Sequence, residues 1–192
     1  MFHEIWPIAV LGVALVVAAV TDIRSGKIPN YVTYPAVLIG LAGHTLLGGL
    51  WGAPDGDALG LMGALTGLAV GFVPLLLAWL TGGIGGGDAK LMAAVGTLTG
   101  WRFALAAMLY GFIVAAMMAI VVMIHRRVAK DTFKRVWRFV ALALFYKARP
   151  GDPSTKDSPK IAFGVALCIG SAFAVLEWLL RGPGAGSFML GI

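Results

Sequence analysis

From residue 58 to residue 80 the chain carries no charged side chain, and apolar runs of similar length recur along it. About 20 mostly apolar residues are what a helix needs to cross the hydrocarbon core of a bilayer. That core has no water to satisfy backbone amides and carbonyls, so each run must close its own hydrogen bonds as a helix. Of the 192 residues, 12% are charged and 59% hydrophobic, whereas a soluble domain has roughly 25% charged. The sequence predicts an all-α integral membrane protein, with residues 1–192 forming one membrane-embedded domain and no separate soluble domain.

Polar breaks divide the chain into about six spans, near 5–21, 31–50, 58–80, 84–100, 102–124 and 161–180. No Lys or Arg precedes the first run, which passes straight into "TDIRSGKIPN", so it reads as a retained span rather than a cleaved signal. In the third span Gly63, Gly67 and Gly71 form a small-residue stripe that lets helix backbones approach closely. The fourth is the weakest. Only Leu91 to Thr99 is free of charge or clustered glycine, and about nine helical residues rise only about 14 Å. A re-entrant loop there would export the basic segment 125–160, so a short span is expected, its glycine-rich start lining a watery recess.

Assigning the breaks alternately to two sides puts every Lys and Arg except Arg102 and Arg181 on one side, which marks it as cytoplasmic. Both termini then face outward, and the net charge of +6 reflects topology rather than nucleic-acid binding. Within the basic segment, "VAKDTFKRVWRFVALALFYKAR" mixes cations with Val136, Trp137, Phe139 and Phe145, the pattern of a cytoplasmic amphipathic helix lying against anionic lipid. "PGDPSTKDSP" then reads as a turn before the last span. The single cysteine, Cys168, can form no internal disulfide, and His3, His44 and His125 lack metal-ligand spacing, so neither a metal nor another cofactor is expected. His44 is expected to act as a hydrogen bonder between helices.

Among nine acidic residues, Asp22 and Asp88 stand apart, each at the cytoplasmic end of a span. Two complete spans separate them, so the chain leaves that face and returns to it, and they can meet. Ionisable groups at membrane depth are costly and mark function by default. Two carboxyls within a few ångströms share one proton, which lets one act as base on a water while the other donates to a carbonyl oxygen. Each also has a structural explanation. Asp88 in "GGGDAKL" would make a helix N-cap, Asp22 could pair with Arg24 or Lys27, and Lys90 could be a positive-inside anchor or could tune Asp88. A small proton-coupled transporter or channel using the same aspartates, or a scaffold using neither chemically, also fits their positions. Nucleotide binding does not: "GGIGGGDAK" lacks the Gly-Lys-Ser/Thr of a phosphate loop.

Two ordered motifs carry a resemblance to a known family. "GGGD" at Gly85 to Asp88 resembles the G-x-G-D signature of membrane aspartyl proteases, and "GGGDAKL" its form in type IV prepilin peptidases. "TDIRSGKIPNYVTYP" is similar to the same family's first aspartate motif through Asp22, Ile28, Pro29, Asn30, Thr33 and Pro35. "PKIAFGVALCIG" is similar to its Pro-Phe-Gly-Pro segment, although Ala162 and Val165 stand in place of the prolines.

The resemblance implies an inner-membrane aspartic endopeptidase that removes the leader from prepilins or pseudopilins at the cytoplasmic face. It assigns Asp22 and Asp88 as the catalytic dyad. Gly85, Gly86 and Gly87 would bend the backbone and leave room for an extended substrate, while Pro29 and Asn30 would hold Asp22 in register. Between the first two spans there is no room for the paired-cysteine insertion of the bifunctional enzymes. The chain therefore resembles the short, peptidase-only branch of tight-adherence pilus systems, and methyltransferase activity is not expected. The implied partners are the prepilin substrate and the lipid bilayer, with no nucleic acid or nucleotide.

Overall fold

A computed structural model describes residues 2–52, 59–125 and 162–181. They form six helices: α1 (Phe2–Ser25), α2 (Asn30–Gly48), α3 (Gly60–Leu80), α4 (Gly86–Thr99), α5 (Trp101–His125) and α6 (Phe163–Arg181). All but α4 are long and apolar enough to cross a membrane. The chain is an all-α membrane protein of several spans. The amphipathic helix expected within 125–160 lies outside the described residues beyond His125. The chain divides into two compact units. One comprises residues 1–114 with 162–192, and the other residues 115–161, of which the last turns of α5 are described. The candidate site lies in the first unit.

That unit is built around its shortest helix. Of the 14 residues of α4, only Gly86, Gly87 and Lys90 are not buried. A helix enclosed on every side needs apolar or small residues all round rather than on one stripe, and "LMAAVGTLT" supplies them. Its two buried threonines spend their hydroxyls internally, Thr97 Oγ1 donating to the Ala93 carbonyl at 2.6 Å and Thr99 Oγ1 to the Val95 carbonyl at 2.8 Å. Fourteen residues rise about 21 Å, short of a hydrocarbon core about 30 Å thick. The segment expected as a short fourth span is thus a short helix enclosed by protein.

Glycines let the neighbours close on α4. The broadest contact is with α3, where a Cβ at Gly67 would run into the Gly96 carbonyl and one at Gly96 into the Gly67 carbonyl. Gly71 meets the Met92 carbonyl in the same way. The predicted stripe on α3 therefore serves helix packing at Gly67 and Gly71. Gly63 faces the side chain of Leu59 instead. From α2, Gly40 approaches Thr97, whose methyl carbon would lie 2.9 Å from an added Cβ. Four residues along, the buried His44 places Nε2 2.9 Å from the Leu98 carbonyl, and its ring lies 5.0 Å from that of Trp6. His44 is a helix-to-helix hydrogen bonder, as its position in the sequence predicts.

Away from α4 the helices turn apolar side chains outward. Val13 and Val16 on α1, Leu38 on α2, Leu77 on α3 and Leu109 on α5 are exposed. A soluble surface of this composition would associate, whereas lipid tails are its natural solvent. An apolar groove of about 580 Å³ runs along the outside of α1 and α2, lined by Val10, Val13, Val17, Tyr31 and Pro35 among others.

Helix ends differ from the sequence-based limits in one place that matters for the site. α1 continues past residue 21 to Ser25, so Asp22 lies inside its last turn. Thr21 Oγ1 bonds back to the Val17 carbonyl at 2.9 Å, and Ser25 Oγ to the Thr21 carbonyl at 2.7 Å, so polar residues extend the helix beyond the apolar run. Gly26, at φ 63°, ends it by donating its N–H to the Asp22 carbonyl at 2.8 Å, the left-handed closure that favours glycine.

Because both backbones at the α3–α4 crossing lack room for a side chain, Gly96→Val should be far more damaging than Gly12→Val, where a Cβ meets nothing within 4 Å. Overpacking of this kind costs about 1–3 kcal/mol. Thermal unfolding in detergent should show a clearly lower midpoint for Gly96→Val and little change for Gly12→Val.

Candidate active site

One end of α4 collects the ends of four other helices. Trp79 in the last turn of α3 meets Gly86, Ile28 in the turn between α1 and α2 meets Gly87, Asn30 at the start of α2 bonds Lys90, and the first turn of α6 meets Asp22 and Ile28. Asp22 and Asp88 are both brought to this end and both buried, each 7% exposed. They lie close enough for their charges to act on one another, and both also act on the buried Cys168, one helical turn beyond Gly164 on α6. Two spans of intervening chain do return to one site.

Each carboxyl is oriented by a backbone amide. Asp22 Oδ2 accepts the Val165 N–H at 3.0 Å, a bond between α1 and the first turn of α6. Asp88 Oδ2 accepts the Gly85 N–H at 3.2 Å. Asp88 is not the N-cap of α4. That position belongs to Gly85, extended at φ −77° and ψ 143°, and Asp88 follows at the third helical position. A glycine cap offers no side-chain oxygen, so only the returning half of a capping box forms here. Its carboxylate also sits favourably near the positive end of the helix dipole.

Ile28, in the turn between α1 and α2, is wedged into the site. It is 8% exposed. A Cβ at Gly87 would lie 3.1 Å from its Cβ, and one at Gly164 would lie 2.8 Å from its Cδ1. The same residue thus contacts the starts of α4 and α6 and fixes their separation. Pro29 follows at the N-cap of α2 with φ −77° and ψ 146°, the extended geometry its ring favours. The room expected along the triple glycine is taken up by protein: Gly86 faces the Trp79 indole and Gly87 faces Ile28. Gly85 faces the Asp88 carboxylate itself, with 3.0 Å from a would-be Cβ to Oδ2.

Lys90 is engaged by α2. Its Nζ donates to Asn30 Oδ1 at 2.9 Å and lies 5.2 Å from the centre of the Tyr34 ring. The second motif is thereby tied to the first: α4 is joined to α2, whose first residue is Asn30. Asp22 is oriented by the Val165 amide rather than by the Asn30 side chain, which goes to Lys90.

Sequence reasoning gave no place at the site to Trp79, Tyr34, Cys168 or the Val165 amide. The first three are ordinary helix residues whose neighbours depend on tertiary packing. A backbone N–H has no sequence signature at all, although Gly164 beside it belongs to a quoted motif.

An all-helical membrane protein with two buried carboxyls at the end of a central glycine-flanked helix defines a narrow class. Residues 9–120, more than half of the chain, match the model of the type IV leader peptidase family. The chain belongs to that family. It is 33% identical over 127 residues to the prepilin leader peptidase/N-methyltransferase of Bacillus subtilis (strain 168), covering 66% of this chain and 48% of the relative. The chain thus spans about half the length of that relative. No solved structure matches it.

An exposed hydrogen bond between charged and neutral groups contributes little, so Asn30→Ala and Lys90→Met should each destabilise only slightly. Their coupling in a double-mutant cycle should be about 1 kcal/mol or less. Chemical or thermal unfolding of the four proteins in one detergent checks this, and full additivity would mean the pair does not join α2 to α4.

Proposed function

We propose that this protein is a membrane aspartic endopeptidase that removes the leader peptide of a type IV prepilin or pseudopilin. The observation that carries the proposal is the meeting of Asp22 and Asp88, from helices far apart in sequence, as two buried carboxyls within electrostatic reach. Family membership and the prepilin-cleaving relative support the choice of reaction and substrate. The short connection between α1 and α2, which leaves no room for a paired-cysteine insertion, supports peptidase action without methyl transfer.

In the proposed reaction one carboxylate takes a proton from water, and the water oxygen attacks the scissile carbonyl carbon. The partner carboxyl, protonated, donates to the carbonyl oxygen, giving a tetrahedral diol. When the carbon–nitrogen bond breaks, the leaving amine takes a proton from one carboxyl, a diol hydroxyl gives its proton to the other, and the new carboxyl end is released with the dyad again holding one proton. Backbone amides hold both carboxyls at the start of the cycle, from Val165 for Asp22 and from Gly85 for Asp88. Preorganised geometry of this kind lowers the cost of bringing water and acid together. Ile28, Pro29 and the Gly85–Gly87 run act as packing that sets the separation of the carboxyls, and Lys90 acts by tying α4 to α2.

For topology we propose a bacterial inner-membrane location, with both termini outside and the dyad at the cytoplasmic face, in one domain over residues 1–192. The distribution of Lys and Arg supports this orientation. The transporter reading gains no specific support from the site.

Leader removal from a co-expressed tight-adherence prepilin, read by intact mass, tests the function. Wild type should cut, and Asp22→Asn and Asp88→Asn should each reduce cleavage at least about a thousandfold, the scale of losing a catalytic acid or base. Membrane insertion of each variant is checked in parallel. Cleavage by a well-inserted Asn variant would rule out the dyad. A second test uses reporter fusions at residue 126 and at the C-terminus, which should report cytoplasmic and external locations respectively.

A further inference from the structure

We infer that the first turn of α6 is a third component of the site, with Gly164 and Val165 acting as positioning residues for the Asp22 carboxyl. The inference rests on the aspartic-peptidase reading above and assigns a role to a helix that lies beyond the matched stretch, residues 9–120.

The first turn of any helix leaves amide N–H groups without intrahelical partners. In α6 the intrahelical ladder starts with the Ala166 N–H on the Ala162 carbonyl at 3.4 Å. Ala162, just before the helix, has no side chain that could cap it. The cap comes from another helix: Val165 N–H donates to Asp22 Oδ2 at 3.0 Å, 143 residues away in sequence. The bond therefore serves both partners, satisfying the end of α6 and fixing one oxygen of Asp22.

Gly164 makes the approach possible. A Cβ there would lie 2.7 Å from Asp22 Oδ2, 3.0 Å from its Cγ and 2.8 Å from Ile28 Cδ1. These groups have little freedom to yield, because Asp22 is on a regular helix and Ile28 is wedged against Gly87. The close fit holds the carboxyl from its side while the amide holds it from its end. Its second oxygen is thereby aimed by packing rather than by a free torsion. Further along the same face, Cys168 is buried near both carboxyls and provides a small apolar wall. Lengthwise, Tyr110 Oη donates to Glu177 Oε2 at 2.5 Å, tying α6 to α5.

The test removes the amide donor without changing the side chain, by incorporating the α-hydroxy acid analogue of valine at position 165 so that an ester replaces the amide. A backbone ester deletes the N–H and leaves the shape nearly unchanged. Purified wild type, the ester protein, Gly164→Ala and Asp22→Asn are assayed on a prepilin across pH, with thermal unfolding measured on each. A hydrogen bond to a charged group is worth about 1.5–3 kcal/mol, so kcat of the ester protein should fall about tenfold to hundredfold with KM nearly unchanged. Its pH–rate profile should also be displaced from that of wild type, which loss of folded protein cannot produce. Gly164→Ala should show the same displacement if it folds, and the ester protein decides the matter if it does not. If wild type cuts, Asp22→Asn does not, and the ester protein has the wild-type pH profile and kcat, the inference about α6 is wrong while the peptidase reading stands. If Asp22→Asn cuts normally, the peptidase reading and this inference fall together.

Discussion

Everything at the candidate site depends on backbone-to-backbone contact between α3 and α4. Where Gly67 and Gly96 face each other's carbonyls, there is no space for a side chain on either helix. Helix association in lipid gains little from hydrophobic burial, because lipid tails are as apolar as the side chains, so close packing must hold the bundle. That contact seats α4 at the centre. Once α4 is enclosed, its glycine-rich start falls among the ends of the surrounding helices. Asp88, Gly87 and Gly86 acquire their neighbours as a result, and the separation between Asp88 and Asp22 follows from where α1 and the Ile28 turn meet that start.

Much of this architecture is legible in the residues because two simple rules carry it. Apolar length identifies α1, α2, α3, α5 and α6 as spans, and three glycines spaced four residues apart identify α3 as a close-packing helix. The same rules explain what could not be read. The apolar length of α4 looks inadequate because length measures a helix in contact with lipid, whereas α4 contacts protein on all sides. Apolar pattern stops at Val20 and so marks the end of α1 short, while Thr21 and Ser25 continue the helix through hydroxyl-to-carbonyl bonds. Spacing points to Asp88 as the N-cap of α4, whereas it sits at the third helical position, because Gly85 takes the extended cap conformation and the carboxylate reaches back to its N–H. Spacing also puts Lys90 near the aspartates without showing that its ammonium is committed to Asn30 and Tyr34.

The site itself was legible at the level of its two acids and opaque at the level of what holds them. Acids at membrane depth are costly, and that cost makes them conspicuous in an apolar sequence. Their supports are a glycine amide, a valine amide and the edge of an isoleucine, none of which departs from ordinary membrane composition. The Val165 amide comes from the last helix, so the geometry of the first aspartate is complete only when the end of the described chain has packed. Assembly of the proposed dyad thus couples α1 to α6 across the 143 positions between Asp22 and Val165.

The shortness of α4 has a consequence for selectivity under the proposed reading. A helix about 21 Å long cannot reach both surfaces of a hydrocarbon layer about 30 Å thick, so its carboxyl-bearing end can lie below the level of the surrounding lipid headgroups. A peptide bond delivered to such a depression must be free of its own helical hydrogen bonds, since a carbonyl already bonded along a helix is shielded from attack. Discrimination among membrane-bound peptides would then fall on their readiness to unravel at one point, a kinetic property of the substrate that sequence motifs around the cleavage point describe only indirectly.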